Sequence, residues 1–494
     1  MGEVYTSLKP KGCPRGFVSQ TKLLYEYFKV NISFYGKLAV LINLAILIPF
    51  ALSSFHADNI DLWKNELRQS ITGTIFLGMG EFFFVFNTLY FAWQVYLYVK
   101  YREEPGCTDE ELGMCTVIVP AFNEGKQVWK TLQSLVASDY PKDKLEILAI
   151  DDGSKDDTWY WMQKAAAEYP DRIRAIRQPR NQGKRAALTE GFKIGKGDYF
   201  VTVDSDSTVE PNTIRNLLSP MIRDPKIGAM AGNVRILNKH EGLLPIMQET
   251  RFMYSFEFVR SAQSMVGAVI CTPGALSGYR RSAVMNALSF WSTQTFMGKP
   301  ATIGEDRAMT NQILKQGYTV KFQRNAYVYT NVPTTLKGTA KMFLRWARSN
   351  YRESLVMGSF IFKKFRGETP VKGARIIFID QAQTLTICQI FLLFSILFLL
   401  WHPWLFFITT LSGVAIRSLA PGLLYYYRTK SSDALWAYWY GILWVFAFSW
   451  VTPYAMFTLY KNGWLTRATS EDVPQDQQPQ QNLEPASMAG SLAS

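Results

Sequence analysis

Asp204-Ser205-Asp206 stands directly behind the apolar run Tyr199-Phe200-Val201-Thr202-Val203, which sets two carboxylates two residues apart at the end of a buried strand. That pair suits one hard divalent cation, Mg²⁺ or Mn²⁺, held by few protein carboxylates and completed by phosphate oxygens. A second carboxylate pair lies in Gly304-Glu305-Asp306-Arg307. Either Glu305 or Asp306 can take the proton from a hydroxyl that attacks an electrophilic carbon. Downstream, Arg345 offers a cation for a diphosphate and Trp346 an aromatic face for a ring, although Trp346 alone serves equally well as an interfacial anchor. Only three histidines occur, His56, His240 and His402, so acid–base chemistry falls to the carboxylates and Ser-His hydrolysis is disfavoured. The cysteines Cys13, Cys107, Cys115, Cys271 and Cys388 show no paired ligand spacing, which argues against zinc and a disulfide framework.

These groups need elements to aim them. Thr116–Val119, Glu146–Ile150 and Tyr199–Val203 read as buried parallel strands, with helices over Gly125–Ala137 and Asp156–Glu168 between them. An open α/β sheet of this kind binds ligands at the carboxyl ends of its strands. The first such end is Pro120-Ala121-Phe122-Asn123-Glu124 and the second Asp151-Asp152-Gly153-Ser154. Together they can frame a nucleobase and ribose, with Asp152 accepting from a base N–H. Asn181-Gln182-Gly183-Lys184-Arg185 lacks P-loop spacing; its place before the next strand favours a nucleotide contact over a solvated basic turn.

Apolar residues crowd both flanks of this centre. Leu38–Phe55 and Ile71–Val99 are each close to or beyond the ~20 residues that cross a bilayer. Ile376–Trp401, Trp404–Tyr427 and Ala434–Tyr460 follow at the other end, with Pro453 set to break the last into a hairpin or re-entrant pair. The net charge of +13 therefore reads as the basic cytosolic face of a membrane protein rather than as a nucleic-acid surface. Lys9, Lys11, Arg15, Lys22, Lys29 and Lys37 before the first span, with Lys100 and Arg102 after the second, put the N-terminus and the central domain in the cytosol. Leu243–Ala262 and Leu336–Lys364 mix apolar, aromatic and basic residues at helical spacing and read as interfacial helices. After Thr469 the chain is polar, rich in Gln and Pro, and expected to be disordered.

In their order these motifs resemble the processive membrane family 2 glycosyltransferases, which include cellulose, chitin and hyaluronan synthases. The likeness is nearest to the hyaluronan synthase and nodulation-type chitin oligosaccharide synthase branch. It rests on Gly304-Glu305-Asp306-Arg307-Ala308-Met309-Thr310, on Arg345-Trp346-Ala347-Arg348-Ser349, and on Pro273-Gly274 followed by Tyr279-Arg280-Arg281. Gly463-Trp464-Leu465-Thr466-Arg467 adds a match to the WGTR end of hyaluronan synthases, with Leu in place of Gly. The likeness runs from about Cys115 to Arg467.

The resemblance implies a GT-A-like open α/β sheet in a cytosolic glycosyltransferase domain, inserted between N-terminal and C-terminal transmembrane helices. It divides the chain into residues 1–100, two spans and their cytosolic lead; 101–335, the transferase domain; 336–375, interfacial helices; 376–468, further spans; and 469–494, the tail. It further implies that Phe122, Glu124, Asp152, Lys184, Asp204 and Arg345 serve the nucleotide and that Asp204 and Asp206 serve the metal. Asp306 would be the base with Glu305 beside it, Trp346 and Met342 would meet the acceptor, and Trp464 and Arg467 would gate. Met342 stands where the family has Gln, and its thioether cannot make an amide's hydrogen bonds. The implied donors are UDP-GlcNAc with or without UDP-GlcA, the partners a growing polysaccharide and the lipid bilayer, and the location the plasma (inner) membrane. A cellulose-like glucan synthase, a transferase acting on a lipid carrier, and a transporter regulated by a nucleotide-binding domain are the competing readings. Asp306 together with the Asp204/Asp206 pair favours the enzyme over the transporter.

Overall fold

The computed structural model describes residues 34–47, 64–367 and 371–461. Trp464, Arg467, the tail and most of the basic N-terminal lead lie outside them, as does the second half of the first expected span. The chain divides into two compact units, residues 1–80 with 395–446 and residues 81–394 with 447–494.

The second unit is built on a mixed eight-stranded sheet. Its strands are β1 (Cys115–Ala121), β2 (Leu145–Asp151), β3 (Ile173–Arg177), β4 (Tyr199–Val203), β5 (Thr208–Val209), β6 (Ile227–Ile236), β7 (Leu276–Arg280) and, after a small separate hairpin of β8 (Thr295–Phe296) and β9 (Lys299–Pro300), β10 (Thr319–Thr330). They lie in the order β3-β2-β1-β4-β7-β6-β10-β5. β1, β2, β3 and β4 pair in parallel, and β7 runs antiparallel to both β4 and β6. Every residue of β1 is buried, which is why that strand reads as a continuous apolar run rather than as alternation, and β6 is equally buried although it carries Asn233 and Arg235.

Side chains leave the sheet alternately to its two faces. Val117 and Val119 join the core under helices Gln127–Val136, Thr158–Glu168 and Thr213–Arg223, while Ile118 joins the opposite core under Lys184–Ile194, Arg281–Ser292 and Glu305–Lys315. The helix expected from Gly125 starts two residues later, at Gln127, because Asn123 turns the chain with φ 52°. The next helix starts at Thr158, whose N–H donates to Asp156 Oδ1 at 3.0 Å, while the N-cap residue Asp157 makes no side-chain capping bond.

Leu243–Ala262, expected to be one interfacial helix, is a helix (Leu243–Phe252), a π-helical stretch (Met253–Val259) and a short helix (Arg260–Met265). Its carboxylates Glu249 and Glu257 are buried against Arg235, with Glu257 Oε2 at 2.7 Å, so this segment packs on the sheet. Its Phe258 meets Tyr98 of helix Ile71–Lys100 at a ring separation of 5.1 Å. The other expected interfacial helix spans Leu336–Ile361, and Thr335 Oγ1 caps it by accepting from Gly338 N–H at 3.1 Å.

Among the described residues Ile71–Lys100 and Phe406–Thr429 are long and apolar enough to cross a membrane, and two bent helix pairs raise the number of possible spans to four. In the last block the helix breaks after Phe448 and resumes at Val451, ahead of the expected site at Pro453. Pro453 is the third residue of the new helix, where an amide N–H has no intrahelical partner to lose. In the first unit, helix Phe34–Leu47 is tied by Lys37 to Asp433 at 2.7 Å and by Gly36 O to Trp439 Nε1 at 3.0 Å.

Gly304 closes a turn and caps the helix that starts at Glu305. Its φ of 69° is left-handed, and a Cβ there would collide with Ser349 Oγ. Gly304→Ala should destabilise the protein by about 1–3 kcal/mol from backbone strain, with the collision added. Ser349→Ala in that background should recover only the steric share, read as a partial return of the thermal midpoint. An unchanged midpoint in Gly304→Ala would contradict this.

Candidate active site

β1 and β2 end in register, Ala121 opposite Asp151, so their two loops leave the sheet side by side. Backbone N–H groups of the first loop then donate to side chains of the second: Asn123 to Ser154 Oγ at 3.0 Å and Glu124 to Thr158 Oγ1 at 2.7 Å. Half-buried Phe122 lies in this laced turn, and Glu124 Oε1 accepts from Ser205 Oγ at 2.9 Å, which joins the turn to the loop after β4. Asp152 is buried, and its two oxygens accept from the N–H groups of Gln182 and Gly183, both at 2.8 Å. Burial raises its pKa to about 6 although those two N–H groups pull the other way. Its evident task is to hold the Asn181–Gly183 turn.

That turn starts the helix of Lys184, whose ammonium is 13% exposed and sits 2.5 Å from Asp204 Oδ1 and 3.0 Å from Glu305 Oε1. Burial alone would lower the pKa of Lys184, but Asp204 and then Glu305 outweigh it and hold the pKa above the usual lysine value. Each ion pair is worth a gross ~4 kcal/mol at ~4 Å and an effective dielectric of ~20.

Glu305 and Asp306 open one helix, yet they are driven apart. Burial raises Glu305, but Lys184, its own backbone N–H and Arg345 overcome this and set it below the usual glutamate range. Asp306 is raised by burial first and then by the negative charge of Glu305. Its Oδ1 accepts from Arg307 N–H at 2.7 Å, and its Oδ2 from Gly274 N–H at 3.2 Å and from the Cys271 thiol at 3.7 Å. Burial pushes the thiol up to about 12, so Cys271 remains a proton donor to the carboxylate. Adjacent carboxyls with opposed shifts are the pattern that separates an acid–base group from a fixed charge. A cavity of about 10 Å³, roughly one water, lies among Lys184, Glu305, Asp306, Tyr279 and Trp291.

Arg345 reaches this cluster electrostatically, through Glu305. Trp346 is half-buried. It is wedged between Phe252 at 6.0 Å and Phe343 at 5.9 Å, and Met342 beside it is buried. Asp206 Oδ1 accepts from Ser207 Oγ and Thr330 Oγ1, both at 3.4 Å. The structure thus brings Lys184, Asp204, Glu305, Asp306 and Arg345 together, with Phe122, Glu124 and Asp152 in the loops that support them.

Sequence reasoning missed Cys271 and the Gly274 N–H as partners of Asp306. It also missed Trp291, whose indole N–H donates to Glu305 O at 2.8 Å. Pro273-Gly274 was the available signal. A Cβ on Gly274 would stand 2.7 Å from Lys184 Nζ, so only glycine admits this approach.

Residues 116–287 match the family described as Glycosyl transferase family 2. That central segment is therefore similar to family 2 glycosyltransferase domains. The chain is 36% identical over 275 residues to an N-acetylglucosaminyltransferase of Rhizobium meliloti (strain 1021), a stretch that is 54% of this chain and 64% of that one. It is 34% identical over 244 residues to a hyaluronan synthase of Streptococcus pyogenes, covering 48% and 57% respectively. The chain thus spans less than two thirds of the length of either relative. A solved mannosyltransferase, PcManGT from Pyrobaculum calidifontis in complex with GDP-Man and Mn²⁺, superposes with a TM-score of 0.48 at 20% identity, over 74% of this chain and 97% of its own. The glycosyltransferase domain has the GT-A-like sheet expected of the family.

A divalent cation fits the donor set of this domain. Among the described residues no three His, Cys, Asp or Glu side chains converge on one point, so the protein alone forms no metal cage. Asp204, 32% exposed, and Asp206 supply the two carboxylates that a cation arriving with a diphosphate requires.

The raised pKa of Asp306 gives a signed expectation. A general base works deprotonated, so activity falls as pH drops through its pKa, and the acid limb of kcat/KM should lie above the ordinary aspartate range. Glu305→Gln removes the like charge and should move that limb to lower pH. A limb that stays put or rises would contradict the assignment of the pair.

Proposed function

We propose that this protein is a processive, inverting synthase that polymerises UDP-sugars into a β-linked polysaccharide at the plasma (inner) membrane and passes the chain outward. The catalytic domain faces the cytosol, as the basic flanks of the first spans indicate. The donors are UDP-GlcNAc with or without UDP-GlcA, a choice supported by the N-acetylglucosaminyltransferase and hyaluronan synthase named among the relatives. The observation that carries the reading is Lys184 between Asp204 and Glu305, with Asp306 next in the chain and raised in pKa.

In the reaction that follows, the loops of Phe122, Glu124 and Asp152 seat the uridine, and Lys184 and Arg345 face the diphosphate. Asp204 and Asp206 would hold Mg²⁺ or Mn²⁺, which when bound supplies Lewis-acid stabilisation of the leaving diphosphate. Asp306 takes the proton of the acceptor hydroxyl as its oxygen attacks the anomeric carbon from the face opposite UDP. The bond from that carbon to the phosphate oxygen breaks, UDP departs, and the anomeric configuration inverts. Glu305, kept ionised by Lys184, stays a fixed charge. Helix Leu336–Ile361, which carries Arg345, joins the site to the apolar helices, and this supports export of the product.

Purified protein in detergent, offered each radiolabelled UDP-sugar singly and in pairs, should make polymer from UDP-GlcNAc alone or with UDP-GlcA. Chelation and Asp206→Asn should each remove most of this. Asp306→Asn should cost ~10²–10⁴ in turnover while UDP binding persists. Polymer from no UDP-sugar, or full turnover in EDTA, would contradict the reading.

A further inference from the structure

Arg307 follows the candidate base and is 2% exposed. Its guanidinium donates to three neutral oxygens: Asn350 Oδ1 at 2.6 Å, Gln381 Oε1 at 2.7 Å and Ser354 Oγ at 3.2 Å. Its Nε has no hydrogen-bond partner, so this buried cation, which feels Glu353 and Asp306 only at a distance, depends on the three acceptors it has. Two of the three belong to helix Leu336–Ile361, the helix of Arg345 and Trp346. The third belongs to the apolar helix Lys372–Trp401.

The backbone N–H of this same arginine donates to Asp306 Oδ1 at 2.7 Å. One residue therefore connects the base to an apolar helix outside the transferase sheet. The two helices are also clamped to each other, since Tyr351 Oη donates to Leu385 O at 2.6 Å. Gly358 packs beside Phe378 in the same seam, where a Cβ would come within 3.3 Å of the ring. Gln381 is half-buried, and Arg307 is its partner across the two helices.

We infer that Gln381 is a positioning residue: through Arg307 it sets the orientation of Asp306, so the chemical step is geared to the apolar helix Lys372–Trp401. This rests on the proposed function, in which Asp306 is the base and that helix belongs to the membrane-embedded part. A shift of the helix pulls on the guanidinium and turns the first residues of the catalytic helix. The donor contacts of Lys184, Asp204 and the loops after β1 and β2 are made outside the two clamped helices, and Arg345 alone of the proposed donor contacts shares one of them.

The test uses the full chain in detergent with UDP-GlcNAc, with and without UDP-GlcA. Gln381→Leu suits an apolar helix and removes the acceptor oxygen, with a side chain one heavy atom shorter. Its kcat should fall by about 10-fold to 10²-fold, the scale of a small misplacement of a reacting group, with the donor KM within about twofold of wild type. Gln381→Glu restores an oxygen and adds an opposite charge, and should recover most of the lost kcat. Unchanged kcat in Gln381→Leu would overturn the inference. So would equal losses in both variants with a raised donor KM, which is the mark of a merely structural role. Wild-type protein that transfers no sugar from any UDP-sugar would instead overturn the proposed function, and this inference with it.

Discussion

Lys184 pairs at once with Asp204, the carboxylate behind β4, and with Glu305, the carboxylate that opens the helix Glu305–Lys315. Those two segments are a hundred residues apart in sequence, and each brings a buried or half-buried negative charge to the same point. Without the ammonium, Asp204, Glu305 and Asp306 would face one another in a water-poor site, and at least one of them would take up a proton. With it, Glu305 stays ionised, and its charge in turn holds Asp306 basic. Gly274 leaves the room in which the ammonium sits, and Asp152 fixes the turn from which it springs.

Behind this contact lies a polar network that keeps the catalytic turn rigid. Glu353, fully buried, accepts from Gln294 at 3.1 Å and from Asn311 at 3.1 Å and pairs with Arg352 at 3.2 Å. Arg352 also donates to Ile303 O, one residue before the left-handed Gly304. Arg185 donates to Trp291 O at 2.5 Å, and the Trp291 indole returns a bond to Glu305 O. Low local dielectric strengthens each of these bonds and makes the loss of any one costly, so the turn has little freedom to drift. The network draws on helices before and after the catalytic turn, and this is how the helix of Arg345 reaches the same site as the loops of the sheet.

Much of this was legible in the residues. The parallel strands carry apolar runs because both of their faces are covered, and acidic turns behind such runs mark the ligand-binding edge. Asp204, Asp206, Glu305 and Asp306 stood out because charged residues rarely end buried strands or open buried helices without a task, and Arg345 because it offers a cation beside Trp346. What was not legible depends on contacts between distant segments. Asp152 is an acceptor of two backbone N–H groups thirty residues on, which no local pattern announces. Trp346 is wedged by Phe252, almost a hundred residues earlier. The antiparallel insertion of β7 follows from its pairing with β4 and β6, and Glu257 reads as a polar face until Arg235 is seen against it.

The most direct measurement is a double-mutant cycle on kcat/KM between Lys184→Met and Glu305→Gln. If Lys184 acts by holding Glu305 ionised beside Asp306, removing either partner already breaks that arrangement, and the double variant should lose little more than the worse single one. Losses that add would mean that Lys184 and Glu305 act independently, and would contradict the coupling on which this site is built.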